Sequence, residues 1–379
     1  MRYISYPRAM ALFSLSLLTL MGCQPKDSVD PQENTTAQTT ATPKATTTST
    51  QNTIAPEDEA LWKQANQLFK VLSAEPDSPQ SNPTTPEKVQ LGKMLFHDTR
   101  LSKSGALSCN SCHSLAAYGV DSRPTSIGHG FQTGERNAPS VYNSSLHFSQ
   151  FWDGRAADLE AQAGGPILNP VEMAMDDEAK TIERIKSIPE YQQAFDKVFP
   201  DGQDSISYQN IARAIAAFER TLLTPAPFDR FLAGDGNALS AEQKAGLKTY
   251  MSYGCAACHN GVGVGGTLYQ KFGVISPYAH QKDTGRFQVT GQEADKYVFK
   301  VPSLRNVART APYFHDGKVW SLNEAVKTMA KTQLGKDITP EETAQIVSFL
   351  NSLTGAVPED ALRLPQLPPS GDNTPHPEI

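Results

Sequence analysis

The sequence predicts a mainly α-helical protein with long loops, little strand and two similar halves. Apolar residues recur at helical spacing in several segments, as at Ile211, Ile215 and Phe218. Residues 297–301 are the best of the few strand candidates. One short cysteine motif occurs twice, each time after a predicted helix, and this indicates a duplicated unit.

Composition limits the class of protein. The chain has 379 residues, of which 39% are hydrophobic and 20% charged, with a net charge of −6. This is enough apolar material for two or three domains. Five cysteines are too few for a disulfide scaffold of this size. Nucleic acid is excluded as a favoured partner, because there is no basic excess to neutralise phosphates.

The first 22 residues are predicted to be a signal peptide of the lipoprotein type. A basic start precedes a short apolar stretch, residues 9–20, which is too short to span a bilayer. Residues 20–23 resemble a bacterial lipobox and predict lipidation of Cys23; the alternative is an ordinary signal peptide cut nearby. By resemblance to lipoprotein sorting, Gln24 favours a periplasmic protein anchored to the outer membrane, touching the membrane only through this lipid.

Two predicted domains follow a tether. Residues 23–56 are rich in threonine, with little large apolar material, and are predicted to be disordered. The predicted domains are residues 57–223 and residues 224–357, and residues 358–379 form a proline-rich C-terminal tail.

Several helix starts can be predicted in order along the chain. Thr85 precedes a proline at the first helical position, and Ser240 and Thr339 begin capping boxes. Between the helices lie long segments without a clear period, residues 119–143 and 261–302. Loops of this length in a compact body are usually functional or organised by a bound group.

The repeated motif is C-x-x-C-H, the attachment motif of c-type haem. Its two copies are Cys109, Cys112 and His113, and Cys255, Cys258 and His259. The two thiols of each copy add to the haem vinyl groups, and the adjacent histidine becomes the proximal iron ligand. Export agrees with this chemistry, because bacteria attach haem c outside the cytoplasm. The sequence therefore predicts two covalently bound haem c groups.

Three other interpretations of the cysteines remain. A four-cysteine zinc site prefers pairs about 15 to 20 residues apart, far closer than these two pairs. Thioredoxin-like redox pairs need no histidine and prefer βαβ surroundings. Disulfides within each motif would close unusually short loops.

Further segments resemble those of the bacterial di-haem cytochrome c peroxidase family. They are residues 92–96, 126–130, 150–156, 170–173, 299–306 and 310–317. The resemblance implies two cytochrome c-like haem domains packed face to face, the first peroxidatic and the second an electron-transfer domain. It also implies reduction of hydrogen peroxide, a small donor protein (cytochrome c or a cupredoxin) and a homodimer.

The resemblance also implies ligands for the second haem. His259 is its proximal ligand, and Met329 is the ligand on the opposite face. A thioether ligand raises the reduction potential of a haem, so this haem would store electrons. Core packing is the alternative role for Met329, and Met251 is the second candidate ligand.

For the first haem, the resemblance implies a removable ligand and a proton carrier. His113 is proximal, and His129 occupies the distal position in the oxidised protein and leaves when the other haem is reduced. Glu172 is the candidate proton carrier, with Gln162 as its hydrogen-bonding neighbour. Without this context His129 and Glu172 would be loop residues and Gln162 a helix-surface amide.

Two further features follow from the same resemblance. Trp152 matches the tryptophan that lies between the two haems, where it would assist electron transfer; a core aromatic is the alternative. Asn137, Thr310 and Pro312 match an interdomain Ca²⁺ site, in which proline would contribute its carbonyl oxygen. Arg309 departs from the expected uncharged residue.

Two other function classes remain open. One is a relative that uses both haems to modify a protein, like the methylamine dehydrogenase maturase, but that enzyme has tyrosine in place of Met329. The other is a plain di-haem electron carrier, in which His129 and Glu172 would have no purpose.

We expect two haems per chain that survive acid–acetone extraction. The variant with both Cys255→Ala and Cys258→Ala should keep one haem and lose turnover of an electron donor. Absorption spectra of the extracted protein measure the haem count. Zinc in the protein, or haem that extracts freely, would contradict the prediction.

Overall fold

The computed structural model describes residues 53–200 and 204–378. The signal peptide, Cys23 and most of the tether lie outside these residues and stay predictions. The mainly α-helical class is confirmed, since helices dominate the described residues and the sheet has only two strands. No helix in the described ranges is long and apolar enough to cross a membrane.

The helices follow one another with long loops between them. They are α1 (Glu59–Leu68), α2 (Pro86–His97), α3 (Cys109–Cys112), α4 (Leu159–Leu168), α5 (Glu178–Lys186), α6 (Pro189–Val198), α7 (Tyr208–Arg220), α8 (Pro227–Leu232), α9 (Ala241–Tyr253), α10 (Phe287–Thr290), α11 (Leu322–Leu334), α12 (Pro340–Asn351) and α13 (Glu359–Leu362). Strands β1 (Tyr269–Lys271) and β2 (Val298–Lys300) pair antiparallel, with Tyr269 opposite Lys300. Strand β2 falls within the strand predicted at 297–301.

The predicted helix starts are confirmed by their caps. Thr85 Oγ1 accepts a hydrogen bond from the Lys88 amide at the start of α2. Ser240 begins α9 and Thr339 begins α12, each in a complete capping box. These caps satisfy amide groups that a helix start leaves without partners.

The buried apolar side chains form two main clusters. The first is built chiefly from α2, α4, α5, α6 and α7. The second is built from α1, α8, α9 and α12. A third, small cluster of Phe272, Tyr278 and Phe299 lies against Trp152 from the first half and Met329 from the second.

Each main cluster is organised by one close helix crossing. A Cβ on Gly92 of α2 would lie 1.9 Å from the Ala214 oxygen of α7. A Cβ on Gly246 of α9 would lie 2.0 Å from the Gln345 oxygen of α12. Glycine is therefore required at both crossings, and the matching pairs of helices support the duplication.

The halves join at Thr224, where two asparagines meet. Asn143 and Asn306 both have a left-handed backbone, with φ of 61°. Their side-chain amides both donate to Thr224 Oγ1, at 2.7 and 2.8 Å. All three residues are buried, so these bonds fix the junction in a medium where unpaired polar groups are costly.

The two ends of the described chain cross over between the halves. Helix α1 belongs by sequence to the first predicted domain, residues 57–223, yet its Ala65 packs in the second cluster. Beyond the second half, Ala361 packs in the first cluster, and the Glu378 amide donates to the Lys103 backbone oxygen. The predicted domain bounds stay a proposal, but α1 packs with the second half and the C-terminal segment packs with the first.

We expect Gly92→Ala to destabilise the fold. Alanine is the better helix former by about 1 kcal/mol, but its Cβ would overlap the Ala214 oxygen. Overpacking of this kind usually costs about 1–3 kcal/mol, and the clash should dominate. Urea unfolding measures the change, with Gly134→Ala as control because that position is open. A more stable Gly92→Ala protein would contradict the tight crossing.

Candidate functional site

The first C-x-x-C-H motif is held by a one-turn helix. Ser108 and Ser111 cap α3 through the Ser111 hydroxyl, which accepts from the Ser108 amide at 2.9 Å. This turn brings Cys109 and Cys112 close together and ends at His113. His113 Nδ1 lies 3.3 Å from the Gly119 oxygen, so Nε2 is the nitrogen left for iron.

The second motif repeats this arrangement. The His259 amide donates to the Cys255 oxygen at 3.0 Å, and His259 Nδ1 lies 3.2 Å from the Pro302 oxygen. A Cβ on Gly265 would lie 2.2 Å from that oxygen, so glycine allows the carbonyl to reach the imidazole. Again Nε2 is left free, and the two motifs present the same ligand atom.

Burial keeps both imidazoles neutral, which is the form that binds iron. It lowers the pKa of His113, and it lowers the pKa of His259 to about 4. Burial also raises the pKa of the Cys109 and Cys112 thiols, and that of Cys255 to about 11. These three thiols are therefore uncharged and lie in an apolar setting, as a site for a large apolar cofactor requires.

The other interpretations of the cysteines do not fit the described residues. Their four thiols are free. Within residues 53–200 and 204–378, no three side chains of His, Cys, Asp or Glu come together to hold a metal ion. The two strands form an antiparallel pair, without the βαβ surroundings of a thioredoxin-like site. The c-type haem attachment motif therefore stays the interpretation of both cysteine pairs.

A cavity of about 270 Å³ opens beside the second motif. Its wall includes Cys255, Cys258, His259 and Met329, the four side chains that the sequence analysis assigned to the second haem. Thiols, a neutral imidazole and a thioether thus face one largely apolar space, and these residues fit a covalent haem. Met251, the second candidate ligand, is buried in the second cluster and is absent from this wall.

The structure brings His129 and Glu172 together. The His129 amide donates to the Glu172 backbone carbonyl oxygen at 2.8 Å, and His129 Nδ1 is buried with no hydrogen-bond partner among the described residues. A Cβ on Gly128 would lie 1.9 Å from the Val171 oxygen, so glycine permits this close contact. Gly130 has φ of 61° and open space around it. The loop therefore packs against Val171 and Glu172 at Gly128 and His129, whereas Gly130 has no close neighbours.

Glu172 is held by a residue that the sequence analysis did not name. Asn169 Nδ2 donates to Glu172 Oε1 at 2.7 Å, and the contact of Gln162 with Glu172 stays a prediction. Burial raises the pKa of Glu172, while Arg155 and the Asn169 hydrogen bond oppose the rise. The carboxyl can therefore hold a proton at a higher pH than an exposed glutamate.

Trp152 lies at the contact between the halves. Its Nε1 donates to the Asn137 oxygen at 2.9 Å, and its oxygen accepts from the Lys300 amide at 2.8 Å. Its ring lies 6.3 Å from that of His315 and packs against the small aromatic cluster beside Met329. Trp152 therefore contacts the second half through both its backbone and its indole.

The predicted Ca²⁺ residues Asn137, Thr310 and Pro312 all line the cavity beside the second motif. Asn137 Nδ2 donates to the Arg123 oxygen at 2.7 Å, which leaves its side-chain oxygen available. The guanidinium of Arg309 lies over the Tyr118 ring, 5.3 Å from the centroid. This cation is thus held by an aromatic face, and the Ca²⁺ site stays a prediction.

Comparisons with known proteins agree with this geometry. Residues 86–237 match the family model described as di-haem cytochrome c peroxidase. Cytochrome c551 peroxidase of Pseudomonas aeruginosa is 48% identical over 324 residues, which cover 84% of this chain and 93% of that protein. Its namesake from Nitrosomonas europaea is 50% identical over 295 residues, 77% of this chain and 87% of that protein.

The chain belongs to the di-haem cytochrome c peroxidase family. The predictions of this family and of a peroxidase-class oxidoreductase are thereby confirmed, and the family implies two haem c groups. Methylamine utilization protein MauG of Methylorubrum extorquens is a more distant relative, at 37% identity over 76% of this chain and 84% of that protein. A solved MauG-like protein associated with microbial copper homeostasis superposes with a TM-score of 0.68 at 30% identity, covering 78% of this chain and 96% of that one.

Sequence reasoning missed two polar residues at this peroxidase-family site. Asn169 ends α4 and forms a tight turn, in which its Oδ1 accepts from the Val171 amide at 3.0 Å. The Asn169-Pro170 dipeptide is a turn signal that could have identified it. Arg136 joins Asp153 to Asp283 across the two halves, at 2.5 and 2.6 Å. These contacts connect distant segments, so no local pattern predicts them.

We expect Asn169→Ala to move the acid limb of the peroxidase pH profile to higher pH. Glu172 accepts a proton only when ionised, so activity falls as the pH falls through its pKa. The Asn169 donor stabilises the ionised form, and its removal raises that pKa further. Glu135→Gln, at an exposed position, is the control and should leave the limb in place. An unmoved limb in Asn169→Ala would contradict the assigned contact.

Proposed function

We propose that this protein reduces hydrogen peroxide to water with electrons from a small donor protein, a cytochrome c or a cupredoxin. Two electrons and two protons convert one peroxide to two waters. Electrons enter the second half, residues 224–357, and pass to the first half, residues 57–223. The backbone contact of the His129 loop with Glu172 carries the proposal, because it places a movable imidazole beside a half-buried proton carrier.

The two halves would hold their cofactors in different ways. Cys109, Cys112 and His113 bind the first haem, and the wall that contains His259 and Met329 binds the second. When bound, the haems supply irons that exchange single electrons and, in the first half, an open position for peroxide. Met329 closes the second site, whereas the first site depends on a histidine that a loop can withdraw.

Glu172 is proposed to move the proton that peroxide cleavage requires. Its Oε1 is held by Asn169, which leaves Oε2 to accept a proton from one peroxide oxygen and return it to the other. Burial raises the pKa of Glu172 toward the working pH, which favours a group that must both accept and return a proton. Gln162 stays a candidate for orienting peroxide on the same side.

His129 is proposed to control access. Gly128 and Gly130 flank it, and Phe131, next in the loop, is 91% exposed, so little packing opposes withdrawal of the loop. The buried Nδ1 has no partner among the described residues. A loop held by few contacts can therefore respond to reduction of the other half.

Trp152 is proposed to shorten the path of the electron between the halves. Its indole packs on the aromatic cluster that also contacts Met329, so aromatic side chains fill the space between Trp152 and Met329. Ca²⁺ at Asn137, Thr310 and Pro312 would bind beside it and hold the two halves in register.

The N-terminal segment is proposed to determine where the enzyme works. Residues 1–22 would direct export, and lipidation at Cys23 would hold the protein at the periplasmic side of the outer membrane. The threonine-rich tether would keep the catalytic body away from that surface. The family resemblance supports a homodimer.

We expect stopped-flow mixing of reduced donor and peroxide to show two donor oxidations per peroxide. Glu172→Gln should keep normal spectra and lose roughly 100-fold in rate, because an amide cannot accept the proton. His129→Gly should give a high-spin first haem without prior reduction and keep substantial activity.

Glu135→Gln is the matched control, since this acid is exposed near the same loop, and its rate should equal that of the wild type. Wild-type turnover by Glu172→Gln would contradict the assigned proton carrier. No oxidation of the donor by wild type would contradict the function itself.

A further inference from the structure

A buried polar pair joins the two halves in the cavity beside the second C-x-x-C-H motif. Lys300 ends β2, and His147 follows the turn Ser144–Leu146 of the first half. Lys300 Nζ lies 2.9 Å from His147 Nδ1, and Lys300 is only 6% exposed. Buried lysines are rare unless paired with an acid. No carboxylate lies within ion-pair distance of Lys300 in the described ranges.

The hydrogen bond between them fixes the proton on the histidine. When Lys300 is charged, its ammonium only donates, so His147 Nδ1 accepts and the ring hydrogen resides on Nε2. That Nε2 is buried and finds no acceptor among residues 53–200 and 204–378. Lys300 Nζ also keeps two further hydrogens. Two neighbouring groups therefore present donors without an acceptor.

The position of these hydrogen-bond donors indicates which acceptor would bind them. Both residues line the cavity whose wall also contains His259 and Met329. His147 also packs closely against Gly266 of the second half, since a Cβ on Gly266 would lie 2.4 Å from the His147 ring. The acceptor must be anionic, because a buried ammonium is costly without a negative partner. A haem carries two such groups, its propionate carboxylates.

We propose that Lys300 and His147 together bind a propionate of the second haem. The inference rests on the proposed function, in which that haem is attached at Cys255 and Cys258. The carboxylate would accept from Lys300 Nζ and from His147 Nε2. One cofactor group would thus contact a strand of the second half and a loop of the first.

The electrostatics of the pair agree with a missing anion. Burial lowers the pKa of Lys300 to about 7, and the charge of Asp153 only partly opposes this. Burial and Lys300 together hold the pKa of His147 well below its usual range. A carboxylate between them would restore the charged lysine, because opposite charges at hydrogen-bond distance favour ionisation.

The contact would also connect the second haem to Trp152. The Lys300 amide donates to the Trp152 oxygen at 2.8 Å, and the Phe148 amide, next to His147, donates to the Gly266 oxygen at 3.0 Å. Movement of the propionate would therefore act directly on the backbone of Trp152 and on the loop that carries His147.

Lys300→Met tests the inference in the protein with both haems attached. Loss of a positive charge beside the haem favours its oxidised form. We expect reduction of the second haem to become at least tenfold less favourable, a fall of about 59 mV in potential. The propionate bending band in resonance Raman spectra should also shift, and Lys300→Arg should restore most of both values.

Lys271→Met is the matched control, because Lys271 is an exposed lysine on the paired strand and should change neither quantity. His147→Phe keeps a ring but removes the Nε2 donor, and it should shift the same Raman band. Two haems per chain with an unmoved band in Lys300→Met and His147→Phe would overturn the inference. A wild-type chain without the second haem would instead overturn the proposed function.

Discussion

The close helix crossing within each half is the constraint on which the structure depends. Gly92 and Gly246 let two helices approach until backbone meets backbone, and the side chains around each crossing form one apolar cluster. A cysteine motif follows each glycine helix in the sequence. In each half a backbone carbonyl, that of Gly119 or that of Pro302, lies beside Nδ1 of the proximal histidine, so both halves present the same Nε2 atom to a cofactor.

The chemical difference between the halves arises on the opposite side. In the second half, Met329 lies on a packed helix and faces the cavity that His259 also lines. In the first half, the proposed counterpart is His129, which lies on a glycine-flanked loop and whose amide donates one hydrogen bond to the Glu172 backbone oxygen. A ligand on a helix suits a permanent bond, and a ligand on a loop suits a removable one. One duplicated scaffold can thus provide an electron store and a reaction site.

The sequence predicted what is local and missed what is assembled by the fold. Capping boxes at Ser240 and Thr339 and both C-x-x-C-H motifs depend on neighbours within a few residues, and the structure has all four. Asn169 was missed as a partner of Glu172 because a tight turn after α4, and not a helical period, brings the two side chains together. The pairing of Lys300 with His147 and the crossover of the two chain ends join residues far apart in sequence, and no periodicity encodes them.

The most direct test of the account is a potentiometric titration of the protein with both haems attached, followed by absorption and electron paramagnetic resonance spectra. We expect two separate one-electron steps. The first electron should reduce the haem held by His259 and Met329, and the haem at His113 should lose its low-spin signal while still oxidised. Simultaneous reduction of both haems, or reduction at His113 first, would contradict the division of roles between the halves.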